Sequence, residues 1–369
     1  MMPLLSLFFI TDNYSYLKEI KMSAQDLIDT VKQLMAEGKG LLAMDESNTT
    51  CNNRFEKVGV PSIEDFRRAY REMILTTPNL GKFISGAILF DETIRQSKSD
   101  GTPFLKIMKE TGIIPGIKVD KHAVDMAFHP GEKITEGLDG LRQRFEEYAQ
   151  MGARFSKWRA VITIGEGIPT RGCIEANANA LARYAALSLE AGIVPIVEPE
   201  VLIDGDHSMT RCFEVTQEVL HSVFNQLNIQ KIVLEETILK PSMVLPGIKC
   251  QRQESVEEVA DATVTCLLRT VPAATGGVAF LSGGQPYDLA AARLNAMHTR
   301  FESRLPWPLT FSYSRAIQQP ALETWKGHYE NSAMAQQILY HRAKCCSAAR
   351  QGKYTAAMER QIEQLVTSG

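Results

Sequence analysis

The chain has 369 residues, a formal net charge of −3, and 44% apolar and 22% charged residues. That balance suits a soluble globular protein with a large core. It gives no overall attraction to nucleic acid or to an anionic membrane, so an anionic ligand must be held by local lysines and arginines. Seven cysteines, odd in number and without C-x-x-C spacing, read as reduced thiols rather than a disulfide frame or a zinc site.

Residues 2–10 are apolar. They lack a basic leader and a clear cleavage site, and they are too short to span a bilayer. Residues 1–22 are read as an N-terminal extension, with Met22 as an alternative start, and the fold is expected from Ser23 to Gly369. From there, β-like runs alternate with amphipathic helices. The strands are expected at 40–44, 83–89, 116–119, 153–159, 194–198, 231–234, 277–281 and 309–312. Helical patterns cover 64–76, 175–191, 211–227, 256–269 and 286–298, with Ser255 as a cap and Gly192 as a stop. After about Trp325 the chain reads as a polar helical tail, set apart from about residue 340.

Strand–helix alternation implies parallel strands with right-handed crossovers. Eight strands predict a single (β/α)8 TIM barrel. A doubly wound open sheet is the alternative, but no G-x-G-x-x-G turn follows the first strand.

In such barrels the reacting groups sit at the C-terminal strand ends. Those ends carry Asp45, Asp91, Lys118 with Asp120, Lys157-Trp158-Arg159, Glu198-Pro199-Glu200, Lys240, Ser282-Gly283-Gly284, and Ser312 with Arg315. Lys240 lies in apolar sequence and is followed by Pro241, which places an amine where charge is costly and nucleophilicity is gained. Lys157 is expected to disfavour its charged form by like-charge repulsion. Glu198 is expected to shuttle protons, and Asp45 to take a hydroxyl proton from the substrate. Ser282-Gly283-Gly284 and Arg315 suit one phosphate, and Ser47, Thr50, Arg54 and Lys118 suit a second. Two anion sites around one lysine point to a bisphosphorylated substrate with a carbonyl.

Other features read as structural. Asp204-Gly205-Asp206-His207 is expected to be a loop turn, Trp158 and Met44 packing residues, and Asp91 a group that orients Lys118 or backbone. No role falls to Glu235 or Glu236.

The runs Leu41–Ser47, Gly116–Lys121, Gly137–Leu141, Lys157–Arg159, Ile193–Glu200, Leu239–Pro241, Phe280–Gln285 and Leu309–Tyr313 occur in one order between about residues 23 and 355. Together they resemble the class I, Schiff-base-forming fructose-1,6-bisphosphate aldolases. The resemblance implies reversible cleavage of fructose 1,6-bisphosphate to dihydroxyacetone phosphate and glyceraldehyde 3-phosphate in glycolysis and gluconeogenesis. It implies no cofactor or metal, because the imine is the electron sink. Lys240 then matches the Schiff-base lysine, Glu198 the proton shuttle and Asp45 the group at the C4 hydroxyl, with Lys157 and Glu200 in support. Ser282, Gly283, Gly284, Ser312 and Arg315 match the C1-phosphate end. Ser47, Thr50, Arg54, Lys118 and Arg159 match the rest of the substrate-binding set. A cytoplasmic homotetramer without nucleic-acid or membrane partners is also implied.

Three positions depart from the family pattern. Asn53 stands where a lysine is frequent, Ser314 where glycine is frequent, and the chain ends in Gly369 rather than a tyrosine that helps protonate the enamine. The departures keep two alternatives open: a non-catalytic scaffold, and an aldolase of broader specificity that accepts fructose 1-phosphate or sedoheptulose 1,7-bisphosphate.

Overall fold

The computed structural model describes residues 23–360. The expected extension at 1–22 and the terminal Gly369 lie outside the described residues. Twelve α-helices and ten strands are named here in chain order. The strands are β1 (Gly40–Met44), β2 (Ile84–Leu89), β3 (Ile114–Lys118), β4 (His122–Asp125), β5 (Lys133–Glu136), β6 (Phe155–Ile162), β7 (Val194–Val201), β8 (Ile238–Leu239), β9 (Gly277–Phe280) and β10 (Leu309–Tyr313). The helices are α1 (Ala24–Leu34), α2 (Asn48–Glu56), α3 (Glu64–Leu75), α4 (Asp91–Ile94), α5 (Phe104–Glu110), α6 (Leu141–Met151), α7 (Arg171–Glu190), α8 (Met209–Ile229), α9 (Val256–Thr270), α10 (Tyr287–Phe301), α11 (Arg315–Trp325) and α12 (Ser332–Arg350).

Eight parallel strands close into a barrel in the order β1-β10-β9-β8-β7-β6-β3-β2. The expected TIM barrel therefore forms, and the open sheet does not. Side chains alternate between the two faces of each strand. Along β6, Trp158 packs outward against Tyr184, with ring centroids 5.7 Å apart, and Ser156 bonds the Tyr184 hydroxyl at 2.8 Å. Lys157, Arg159 and Val161 line a cavity at the barrel mouth instead. An inner core of Leu41, Ala43, Ile88, Phe155, Val194, Ile196, Ile238 and Ala279 fills the barrel, and Leu27, Val31, Leu34 and Met35 of the α1 segment pack against it. Ser23 caps α1 in a reciprocal box with Asp26.

Three expectations need correction. The sixth barrel strand is Ile238–Leu239, not 231–234. Lys231 has φ 57°, and Ile232 N donates to Leu227 O while Lys231 N donates to Asn228 O. This is a Schellman stop with lysine in the left-handed position, so the β-branched run closes α8. Glu235 and Glu236 follow in a 3₁₀ turn at Leu234–Glu236. Second, the segment after Trp325 is helical but no polar tail: α12 buries Ile338, Leu339, Arg342, Cys345 and Cys346. Third, the antiparallel hairpin β4–β5 was not anticipated.

Candidate active site

Strand register assembles the site. Lys118 of β3 pairs with Lys157 of β6, Arg159 of β6 with Glu198 of β7, and Val197 of β7 with Leu239 of β8. Lys240 N donates to Val197 O at 2.8 Å, which sets Lys240 beside Glu198. Lys157 within β6, Glu198 within β7 and Lys240 just after β8 thus bring two lysines and a carboxylate to one point.

Glu198 lies between the lysines. One oxygen is 3.0 Å from Lys240 Nζ and the other 3.0 Å from Lys157 Nζ, and Asp45 Oδ2 is 2.7 Å from Lys157 Nζ. Lys240, Lys157 and Glu198 are each only 3% exposed. Burial alone would raise the Asp45 and Glu198 pKa values, but the Lys157 and Lys240 charges outweigh it and hold both carboxyls below their ordinary range. Burial alone would lower the Lys157 pKa, but Asp45 and Glu198 outweigh it, so Lys157 stays an ammonium at neutral pH. The Lys157 charge is directed at two carboxylates, with Glu198 between it and Lys240.

All fifteen residues expected to act or to bind line one cavity of about 950 Å³: Asp45, Ser47, Thr50, Arg54, Lys118, Lys157, Arg159, Glu198, Glu200, Lys240, Ser282, Gly283, Gly284, Ser312 and Arg315. At one end, Ser282 O accepts from Gln285 N at 2.9 Å, closing a tight turn through Gly283 (φ 58°) and Gly284 (φ 93°). Both angles favour glycine, and two backbone N–H groups are left for an anion. The buried Ser312 hydroxyl has no hydrogen-bond partner among the described residues. Arg315, just beyond β10, forms no ion pair among the described residues, and burial lowers its pKa with Arg54 adding to the effect.

At the other end, Ser47 caps α2 by accepting from Thr50 N at 3.3 Å. Here the cations are paired: Arg54 with Glu46, Lys118 with Asp120 at 2.6 Å, and Arg159 with Glu200.

Two contributors escaped the sequence reading. Glu46 takes ion pairs from Arg54 and from Arg71 at 2.7 Å and a 2.5 Å hydrogen bond from Ser314. Burial raises its pKa, yet the two arginines bring it down to about 2. Asp120 is the partner of Lys118, a place the sequence reading gave to Asp91. Asp91 instead bonds Arg95 and Tyr148. Glu46 has no local signal, because its partners Arg71 and Ser314 lie far along the chain; Asp120 does have one, since it stands two residues from Lys118. Trp158 and Met44 are buried packing residues, as expected. Asp204–His207 forms a loop in which Gly205 O and His207 O accept from Lys249 N and Gly247 N. Among the described residues no group of three or more His, Cys, Asp and Glu side chains is placed to hold a metal ion.

Comparison with known proteins gives a consistent result. A family model described as "Fructose-bisphosphate aldolase class-I" matches residues 26–367. The chain is 58% identical over 334 residues to a probable fructose-bisphosphate aldolase class 1 of Xanthomonas campestris, covering 90% of this chain and 99% of that one. It is 48% identical to the cytosolic fructose-bisphosphate aldolase 5 of Arabidopsis thaliana, over 90% and 92% of the two chains. A solved fructose-bisphosphate aldolase of Plasmodium falciparum, in complex with TRAP and a small-molecule inhibitor, matches with a TM-score of 0.88 at 44% identity. That match covers 91% of this chain and 98% of the other.

Proposed function

The chain belongs to the class I fructose-bisphosphate aldolase family, and on that premise we propose that its lyase reaction runs through an imine on Lys240. The enzyme cleaves fructose 1,6-bisphosphate to dihydroxyacetone phosphate and glyceraldehyde 3-phosphate, a step of glycolysis. The observation that carries the lysine assignment is Glu198, held 3.0 Å from both Lys240 and Lys157.

In this reading Lys240 first gives a proton to Glu198; its free amine then attacks the C2 carbonyl, and a proton moves from the adduct's nitrogen to its oxygen to give the carbinolamine. Glu198 gives the proton it took from Lys240 to the carbinolamine hydroxyl, which leaves as water, and the iminium remains. Asp45 accepts the C4 hydroxyl proton as the C3–C4 bond breaks, and the bonding electrons pass into the iminium to form an enamine. Glyceraldehyde 3-phosphate departs. Lys157 is held as an ammonium between Asp45 and Glu198; it hands a proton to Glu198 as it takes the one on Asp45, so Asp45 is restored and Glu198 becomes the acid that protonates the enamine at C3. Water then hydrolyses the imine and releases dihydroxyacetone phosphate. Glu200 keeps Arg159 at the cavity wall.

The test separates the half-reactions. Lys240→Ala should lose both sugar cleavage and proton exchange at C3 of dihydroxyacetone phosphate, by at least about 10⁴-fold. Retention of either within tenfold would contradict the assignment.

A broader specificity is favoured by one observation: among the described residues Arg54, Lys118 and Arg159 already carry carboxylate partners, whereas Arg315 carries none. A phosphate at the Ser47 end competes with an existing partner and gains less. Fructose 1-phosphate should therefore keep a substantial fraction of kcat/KM, measured beside fructose 1,6-bisphosphate and sedoheptulose 1,7-bisphosphate. The family resemblance further supports a metal-independent, cytoplasmic homotetramer. Resistance of activity to EDTA and the sedimentation mass test the first and last of these. No helix among the described residues is long and apolar enough to cross a membrane.

A further inference from the structure

Behind the Ser282–Gln285 turn lies a buried cation that the reaction does not use. Arg293, on α10, is 6% exposed, and its Nη1 donates to Gln285 Oε1 at 2.8 Å. Among the described residues it forms no ion pair, and its Nε has no acceptor. Burial lowers its pKa, opposed by attraction from Tyr313 and Asp288, but a guanidinium remains charged at neutral pH. Gln285 is itself only 7% exposed and lines the site cavity. Its oxygen is taken by Arg293, and its amide nitrogen is a buried donor without a partner among the described residues.

A buried charge is ordinarily paired, because desolvation is costly. A buried amide donor is ordinarily bonded as well. Here both deficits fall on one side of one turn, and both are electropositive. Elsewhere in the cavity, Arg54, Lys118 and Arg159 each have a carboxylate. The charge missing near Arg293 is therefore an anion, and the turn in front of it offers the free N–H groups of Gly283 and Gly284.

We propose that Arg293 is a positioning residue for the phosphate turn: it fixes the Gln285 amide and sets an uncompensated positive charge behind Gly283 and Gly284, with the substrate's phosphate dianion as its counter-charge. This rests on the reading that the turn binds a phosphate. Arg293 need not touch that phosphate, since a full charge acts over several ångströms in a low-dielectric interior. It biases binding toward the Arg315 end of the cavity and so helps decide which phosphate anchors the sugar.

The experiment is competitive inhibition by inorganic phosphate, with KM for fructose 1,6-bisphosphate, in the wild type, Arg293→Met and Arg293→Lys. Arg293→Met should raise the phosphate inhibition constant and KM together by about tenfold, with the loss in KM rather than kcat, and Arg293→Lys should recover most of it. An unchanged inhibition constant in Arg293→Met overturns the inference, because a merely structural arginine would lower Tm and leave affinity in the folded molecules alone. Should Arg293→Met not fold, Gln285→Glu gives the second reading: a carboxylate beside Arg293 should raise Tm while weakening phosphate inhibition. A fall in Tm there overturns the uncompensated charge. Absence of phosphate inhibition in the wild type itself would overturn the reading of the turn as a phosphate site, a different failure from the first.

Discussion

Glu46 follows Asp45 directly in the chain, yet its oxygens pair with Arg54, Arg71 and Ser314, while Asp45 pairs with Lys157. Adjacent carboxylates thus belong to different networks. Ser314 shows the consequence. Its hydroxyl donates to Glu46 and accepts from Arg54 at 3.2 Å, and Gln318 adds a 3.3 Å contact. In the sequence Ser314 reads only as an extra Cβ near a phosphate; its role as a bridge depends on a partner more than 250 residues away. Ser314→Gly should loosen Arg54 and raise KM for fructose 1,6-bisphosphate by about two- to fivefold, the worth of one or two hydrogen bonds to charged groups. KM for fructose 1-phosphate, which has no phosphate at that end, should stay unchanged. An equal shift for both sugars would argue against Ser314 acting through Arg54.

The elements show where sequence patterns carry and where they stop. Seven barrel strands and the main helices follow from hydrophobic periodicity, caps and glycine stops. The eighth strand did not, because β8 is two residues long and the stronger β-branched run beside it serves a helix cap. The β4–β5 hairpin buries only Thr135 of its eight strand residues and has no alternating apolar face to reveal it. Tight fits inside the barrel are equally silent in the sequence. A Cβ at Gly116 would lie 2.3 Å from the Phe155 ring, and one at Gly40 would lie 2.6 Å from the Phe311 ring. Gly116→Ala should destabilise by about 1–3 kcal/mol in denaturant unfolding, through displaced rings in a filled interior. A change within experimental error would mean that the barrel floor gives way more easily than its packing suggests.

At the scale of the molecule, charge burial sets the pH range in which the barrel holds. Asp45, Glu46 and Glu198 have folded pKa values below their ordinary ones. Their contribution is complete above about pH 4 and is lost as pH falls through the folded values, near 2 for Glu46. His298 acts in a higher window. Burial, with Arg350 nearby, lowers its pKa to about 4, and it bonds Leu309 O at 3.0 Å. A depressed histidine binds a proton more readily when unfolded, so its stability term is full above about pH 6.5 and declines toward pH 4, by at most about 3 kcal/mol. The unfolding free energy should therefore fall between pH 6.5 and 4, with His207 and His341, which burial also depresses, adding to the slope. His298→Gln should reduce the slope in that window by up to about one proton and leave the loss below pH 4 in place; an unaltered slope would remove His298 from the account. The whole fold converges on Lys240, whose chemistry was legible from its neighbours in sequence even though its strand was misplaced. Borohydride reduction in the presence of dihydroxyacetone phosphate, followed by peptide mass mapping, tests that centre most directly. The account predicts one reduced adduct, on Lys240, and its disappearance in Lys240→Ala. An adduct on Lys157 or Lys118, or none in an enzyme that turns over, would contradict it.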